Sequence, residues 1–290
     1  MDKNSYVDLE TGEVKSKREY RLQNINQADA YKAILKKEEY RDRQRSRNWI
    51  ACFHQSIQEL STELKLHELG VVMNLLPYTK FNGKGQLVKD GEVMRIADIT
   101  EVIGRSKRST ITIMNKLEGL NVILKRKERN RNIYSLNPHY HSIGKLLHSD
   151  PFTKVYQLAA RKMLRNLTLK QAGILYKLLP HFHYETYYLS HNPNEADLNE
   201  IKHMNQRELA QAIHEDVRTL RTHMKDLQSK GFVMIQKSSN TDAFIVNPDI
   251  MFRKDVEDEY TDVVRKQFYH QQLKESQELD VKLSDVTSGK

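Results

Sequence analysis

From about Asn26 to Leu64 the chain has neither Gly nor Pro and is rich in Ala, Leu, Lys, Glu, Gln and Arg. That composition predicts one long helix or two abutting ones. Its second half carries Ile50, Phe53, Ile57, Leu60 and Leu64 at alternating spacings of three and four, which would align all five on one helical stripe. Before it, Tyr6 to Val14 reads as a small hairpin around Thr11-Gly12.

An internal repeat follows. The first copy opens with an apolar helix ending Asn74-Leu75-Leu76-Pro77, the second with one ending Lys177-Leu178-Leu179-Pro180. Each continues through a long polar or aromatic segment, a short helix, a longer helix and a hairpin. Each closes on Asn-Pro, at Asn137-Pro138 and Asn247-Pro248. The short helices are expected over Ile96 to Ile103 and Gln206 to Ile213. The turns fall at Gly104-Arg105 and His214-Glu215. Ser106 and Asp216 cap helices that run to Gly119 and Ser229.

A short helix, a tight turn, a longer helix and a hairpin form the order of a winged helix-turn-helix. The expected fold class is therefore mainly α with small β-hairpin wings. Two tandem winged helix-turn-helix domains (64–145 and 150–252) are flanked by a polar arm (1–25), an N-terminal helical segment (26–63), a C-terminal helix (253–278) and a disordered tail (279–290).

Charge sharpens this picture. The 290 residues carry a formal net charge of +9. Gly104 to Arg131 alone holds nine Lys and Arg against two Glu. Such crowding disfavours a hairpin on structural grounds. It suits a phosphate backbone, where each neutralised phosphate releases counterions.

In the first long helix Thr110, Met114 and Leu117 take the buried face, leaving Lys107, Arg108, Ser109, Thr112 and Lys116 to face DNA. In the second, Leu220, Met224 and Leu227 are buried, leaving Arg218, Thr219, Arg221, Thr222 and Lys225. Arg and Lys donate to guanine or phosphate, and Ser and Thr serve either target. The first wing supplies Lys125, Arg126, Lys127, Arg129 and Arg131, whereas the second, Gln236 to Asp242, is weakly charged. The first domain is expected to bind more tightly. The stripe from Ile50 has two readings. Ile50, Phe53, Ile57 and Leu60 pack on their own domain, which is favoured, or form a dimer seam with Trp49.

Other chemistry finds less support. A single cysteine, Cys52, excludes an intrachain disulfide and a Cys-based zinc site. No Walker-type loop is present. His181-Phe182-His183 with Tyr184, Tyr187 and Tyr188 matches the ligand-and-nucleophile set of a nicking enzyme. These residues, like His139 and His141, fit the repeat better. No enzyme activity, cofactor or metal is expected. The chain has a polar N-terminus and no stretch of ~20 apolar residues. The expected setting is the bacterial cytoplasm, on a replicon or nucleoid.

The run Thr241-Asp242-Ala243-Phe244-Ile245-Val246-Asn247-Pro248-Asp249-Ile250-Met251-Phe252-Arg253-Lys254 resembles the end of RepL-type replication proteins of Firmicute plasmids. Thr11-Gly12-Glu13-Val14 is similar to a hairpin near the start of that family. The two winged-helix copies depart from it and resemble, in architecture, plasmid initiators that bind repeated origin sites. The resemblance implies an origin-binding replication initiator of a plasmid or phage. Its partners would be double-stranded DNA, host replication proteins and, in the seam reading, a second copy. The alternative is a transcriptional regulator of phage-repressor type with the same DNA contacts.

Overall fold

The computed structural model describes residues 5–8, 10–16, 25–45, 47–144, 146, 149–237 and 242–288, the side chains of 25–27, 45 and 275–288 excepted. The chain divides at Arg45. The first unit holds an antiparallel hairpin, β1 (Ser5–Val7) with β2 (Val14–Ser16), and a helix, α1 (Ile25–Arg45). Lys15 Nζ meets Asp8 at 2.8 Å within that hairpin, and Gly12 supplies the positive φ of its turn.

The second unit begins with β3 (Trp49–Phe53), α2 (His54–Glu63) and α3 (Leu66–Leu75). A short hairpin, β4 (Val88–Lys89) with β5 (Glu92–Val93), leads to α4 (Ile96–Ile103) and α5 (Lys107–Gly119). Strands β6 (Ile123–Glu128), β7 (Arg131–Leu136) and β8 (His141–Ser142) complete the first copy. The order repeats as β9 (Phe152–Tyr156), α6 (Gln157–Leu164), α7 (Leu169–Leu178), α8 (Gln206–Ala212), α9 (Val217–Ser229), β10 (Val233–Lys237), β11 (Asp242–Val246) and β12 (Met251–Phe252). Helix α10 (Glu259–Ser288) follows.

The strand β3 corrects the sequence expectation of one long helix or two abutting helices over 26–63. Trp49-Ile50-Ala51-Cys52-Phe53 is a short apolar run, which periodicity alone cannot assign to helix or strand. It becomes a strand because it lies at the centre of a four-stranded sheet ordered β12-β9-β3-β8 and is covered on both faces. The first copy therefore starts at Trp49 rather than at Leu64. Ile50, Phe53, Ile57 and Leu60 are all buried in this core, and Trp49 stacks on Phe152 with ring centroids 5.7 Å apart. These side chains therefore pack within one chain.

The two copies are related by a local twofold axis. Strands β3 and β9 pair antiparallel, with Ala51 opposite Lys154 at the axis, and Trp49–Tyr156 and Phe53–Phe152 symmetric about it. The outer strands obey the same symmetry: Cys52 faces His141 as Val155 faces Met251. Helices α3 and α7 cross on the axis. A Cβ on Gly70 would lie 1.8 Å from the Leu169 carbonyl oxygen, and one on Gly173 would lie 2.0 Å from that of Leu66. Only glycine permits that backbone approach.

Helix α10 also departs from expectation. Asp258 Oδ1 accepts the Thr261 N–H at 2.8 Å, so helix begins at Glu259 and not near 253. It runs to Ser288, through most of the stretch read as a disordered tail; Glu259 to Ser288 contains neither Gly nor Pro. Val264 and Phe268 anchor it in the core, and Tyr187 Oη lies 2.7 Å from Thr261 Oγ1. Arg265 reaches Glu257 at 2.6 Å and Asp249 at 2.8 Å, while Arg47 approaches Asp249 at 3.1 Å. Among the described residues no helix is long and apolar enough to cross a membrane.

Candidate nucleic-acid interface

Both helix pairs, α4–α5 and α8–α9, are fixed by local chemistry. Gly104 ends α4 in the left-handed region at φ 62°, and His214 occupies the equivalent place after α8 at φ 52°. Ser106 Oγ accepts the Ser109 N–H at 3.3 Å, and Asp216 Oδ1 accepts that of Thr219 at 2.9 Å. The Thr219 and Arg218 amides hold the Asp216 carboxyl below its usual range. After each long helix, an asparagine amide closes the hairpin. Asn137 donates to the Asn121 carbonyl at 2.8 Å and Asn247 to that of Gly231 at 2.7 Å.

Helix α5 buries Thr110, Ile113, Met114 and Leu117. Lys107, Arg108 and Thr112 are exposed and Ser109 is half-exposed. Lys116 departs from expectation: its ammonium is held by Glu68 of α3 at 2.6 Å. Burial pushes the Glu68 carboxyl up, but the Lys116 ammonium and the Lys65 N–H outweigh it, leaving Glu68 below the usual carboxylate range. Helix α9 buries Leu220, Met224 and Leu227 and exposes Arg218, Arg221, Thr222 and Lys225, with Thr219 half-exposed. Here the equivalent link to the axis is Gln171 donating to Asp226 at 2.7 Å. Thr112 and Thr222 each donate to the carbonyl four residues back, at 3.1 Å, in Arg108 and Arg218.

The β6–β7 hairpin presents Lys125, Arg126, Lys127, Arg129 and Arg131, all exposed. Two are lightly paired: Lys125 meets Glu118 at 3.2 Å, and Arg126 meets Glu128 at 3.4 Å. Exposed pairs of this kind contribute ~0–1 kcal/mol and yield readily to a stronger anion. The two-residue turn is Arg129-Asn130, with φ 44° and 68°. Two positive φ angles are the signature of the turn that matches strand twist, and Asn-Gly is its usual sequence. An arginine held there is observed strain at the tip of a strongly cationic hairpin. The turn of the β10–β11 hairpin, 238–241, lies outside the described residues.

One positioning residue escaped the sequence reading. Lys177 of α7 is buried and donates to the Ile213 carbonyl at 2.9 Å and to Glu215 at 2.5 Å, pinning the turn that precedes α9. No motif marks it; only the helix crossing brings it to that turn.

Of the histidines and tyrosines weighed for nicking, His141, His183, Tyr187 and Tyr188 have partners within the fold. Tyr187 is fully buried, and burial pushes its hydroxyl well above the usual range. Tyr188 donates to Gln236 at 2.6 Å. His183 is buried with Nε2 at 2.7 Å from the Glu195 carbonyl, and His141 Nε2 lies 2.8 Å from Tyr176 Oη. Among the described residues no three His, Cys, Asp or Glu side chains are grouped to hold a metal ion.

A family model, the Firmicute plasmid replication protein (RepL), matches residues 185–287. The matched stretch carries α8, α9, the β10–β11 hairpin, β12 and nearly all of α10. The likeness expected from 241–254 falls inside it; Thr11 to Val14 does not. Neither the curated proteins nor the solved structures contain a match to the chain.

Proposed function

We propose that this chain is a sequence-specific duplex DNA-binding protein of two tandem winged helices, which initiates replication of a plasmid or phage at repeated origin sites. The observation that carries the DNA reading is the five exposed cations of the β6–β7 hairpin, together with the exposed Lys107, Arg108 and Thr112 of α5 in the same copy. Helices α5 and α9 enter successive major grooves and read bases, while the first hairpin binds phosphates. Its surplus charge makes the first domain the tighter binder. The family match over 185–287 supports replication over transcription.

In this reading the chain works without catalysis or cofactor, in the cytoplasm of its host. Bound copies strain the origin and dock host replication proteins. Crosslinking the protein in cells that carry its replicon, then sequencing the bound DNA, tests the proposal. Peaks over repeats at the replicon origin, lost in Arg108→Ala/Arg218→Ala, support it. Peaks over promoters move the function to transcriptional regulation, and a flat profile removes sequence-specific binding altogether.

A further inference from the structure

The twofold relation makes the two long helices comparable residue by residue. Ser106 and Asp216 are equivalent caps, Gly104 and His214 equivalent turns, and Asn137 and Asn247 equivalent hairpin locks. On the exposed faces Arg108 then matches Arg218, and Thr112 matches Thr222 with the same backbone hydrogen bond. Between them the copies diverge. Ile111 is 40% exposed on α5, and its counterpart on α9 is the exposed Arg221. At this equivalent exposed position one helix offers an apolar side chain and the other a guanidinium.

The axis also fixes relative orientation. Glu68 and Gln171, on the two crossing helices, hold equivalent points of α5 and α9. His67, next to Glu68, lines one groove with Arg108, Ser109 and Thr112, so the exposed face of α5 opens beside the axis. Two heads related by a twofold axis meet duplex DNA in opposite senses and match half-sites that are inverted, not directly repeated.

We infer that one chain reads an imperfect inverted repeat whose halves share the bases under Arg108/Arg218 and Thr112/Thr222 and differ under Ile111 and Arg221. Isoleucine has no donor or acceptor and packs on a thymine methyl, whereas arginine donates two hydrogen bonds to guanine O6 and N7. At that position one arm therefore has a thymine where the other has guanine, while exposed Lys107 against Val217 and Asn115 against Lys225 set the two heads apart elsewhere. This inference rests on the proposed DNA-binding function.

The test is selection from random duplexes with the wild-type chain, Ile111→Arg, Ile111→Ala and Arg221→Ile, together with the mass of each complex in solution. Wild type is expected to enrich an inverted repeat whose arms are unequal at the base pair under Ile111 and Arg221, bound by a single chain. Ile111→Arg should make both arms guanine there, and Arg221→Ile should make both thymine, each changing preference about tenfold or more. Ile111→Ala should keep the site and lose the thymine preference. Directly repeated arms, two chains per inverted repeat, or unchanged bases in the Ile111 and Arg221 variants would overturn the inference while leaving DNA binding intact. Failure of the wild type to enrich any duplex would overturn the functional proposal and this inference together.

Discussion

Gly70 and Gly173 face each other's helices across the local twofold axis, each so close that a single added methyl would strike a backbone carbonyl, of Leu169 or Leu66. Every element of both copies hangs from that crossing. Gly70→Ala should push α3 from α7 and cost about 1–3 kcal/mol or more, as overpacking does. Denaturant unfolding checks this, and a variant as stable as the parent would contradict the crossing.

Arg129 holds a positive φ that an L residue adopts at a cost of roughly 1–2 kcal/mol. Arg129→Asn should relieve part of that cost, raising stability by up to about 1 kcal/mol. DNA affinity should fall in the same variant. Thermal unfolding and a duplex titration measure the two effects. A gain in both would mean the strain serves no contact.

Lys177, buried, and Glu215, half-buried, form an ion pair. Lys177→Met should leave Glu215 and the Ile213 carbonyl unsatisfied, at about 1–3 kcal/mol. Hydrogen exchange should quicken at the turn before α9, and not in α5. Equal change in both helices would argue against a local role.

Burial pushes His54 and His141 down to about 3 and His181 to about 4. The unfolded chain takes up protons near pH 6.5, where the folded state refuses them. Stability is therefore complete above pH 6.5 and falls as pH drops towards 4. The slope is about 1.4 kcal/mol per pH unit for each histidine. Unfolding of His54→Gln/His141→Gln between pH 7 and 4 should show a much shallower decline. An unchanged slope would assign it to other groups.

Local signals were legible and long-range ones were not. Capping by Ser106 and Asp216, the turn at Gly104 and the Asn-Pro closures all act within a few residues, so sequence displays them. The bounds of α4, α5 and α9 accordingly match expectation. Strand β3 was hidden because its pairing partners, β9 and β8, lie about a hundred residues further along the chain. The hold of Glu68 on Lys116 is invisible in sequence because the two meet only through the fold. The exposure of Ile111 is set by packing and carries no sequence signal. The axis itself needs Gly70 and Gly173, which carry no turn signal in sequence.

The most direct test of the central claim is the salt dependence of duplex binding by the wild type and by Lys125/Arg126/Lys127→Ala. If the β6–β7 hairpin grips phosphates, the slope of log affinity against log salt should shrink by up to about 0.9 for each cation removed. The unfolding free energy should stay within about 0.5 kcal/mol, because all three side chains are exposed. An unchanged slope and affinity in a folded variant would contradict the account.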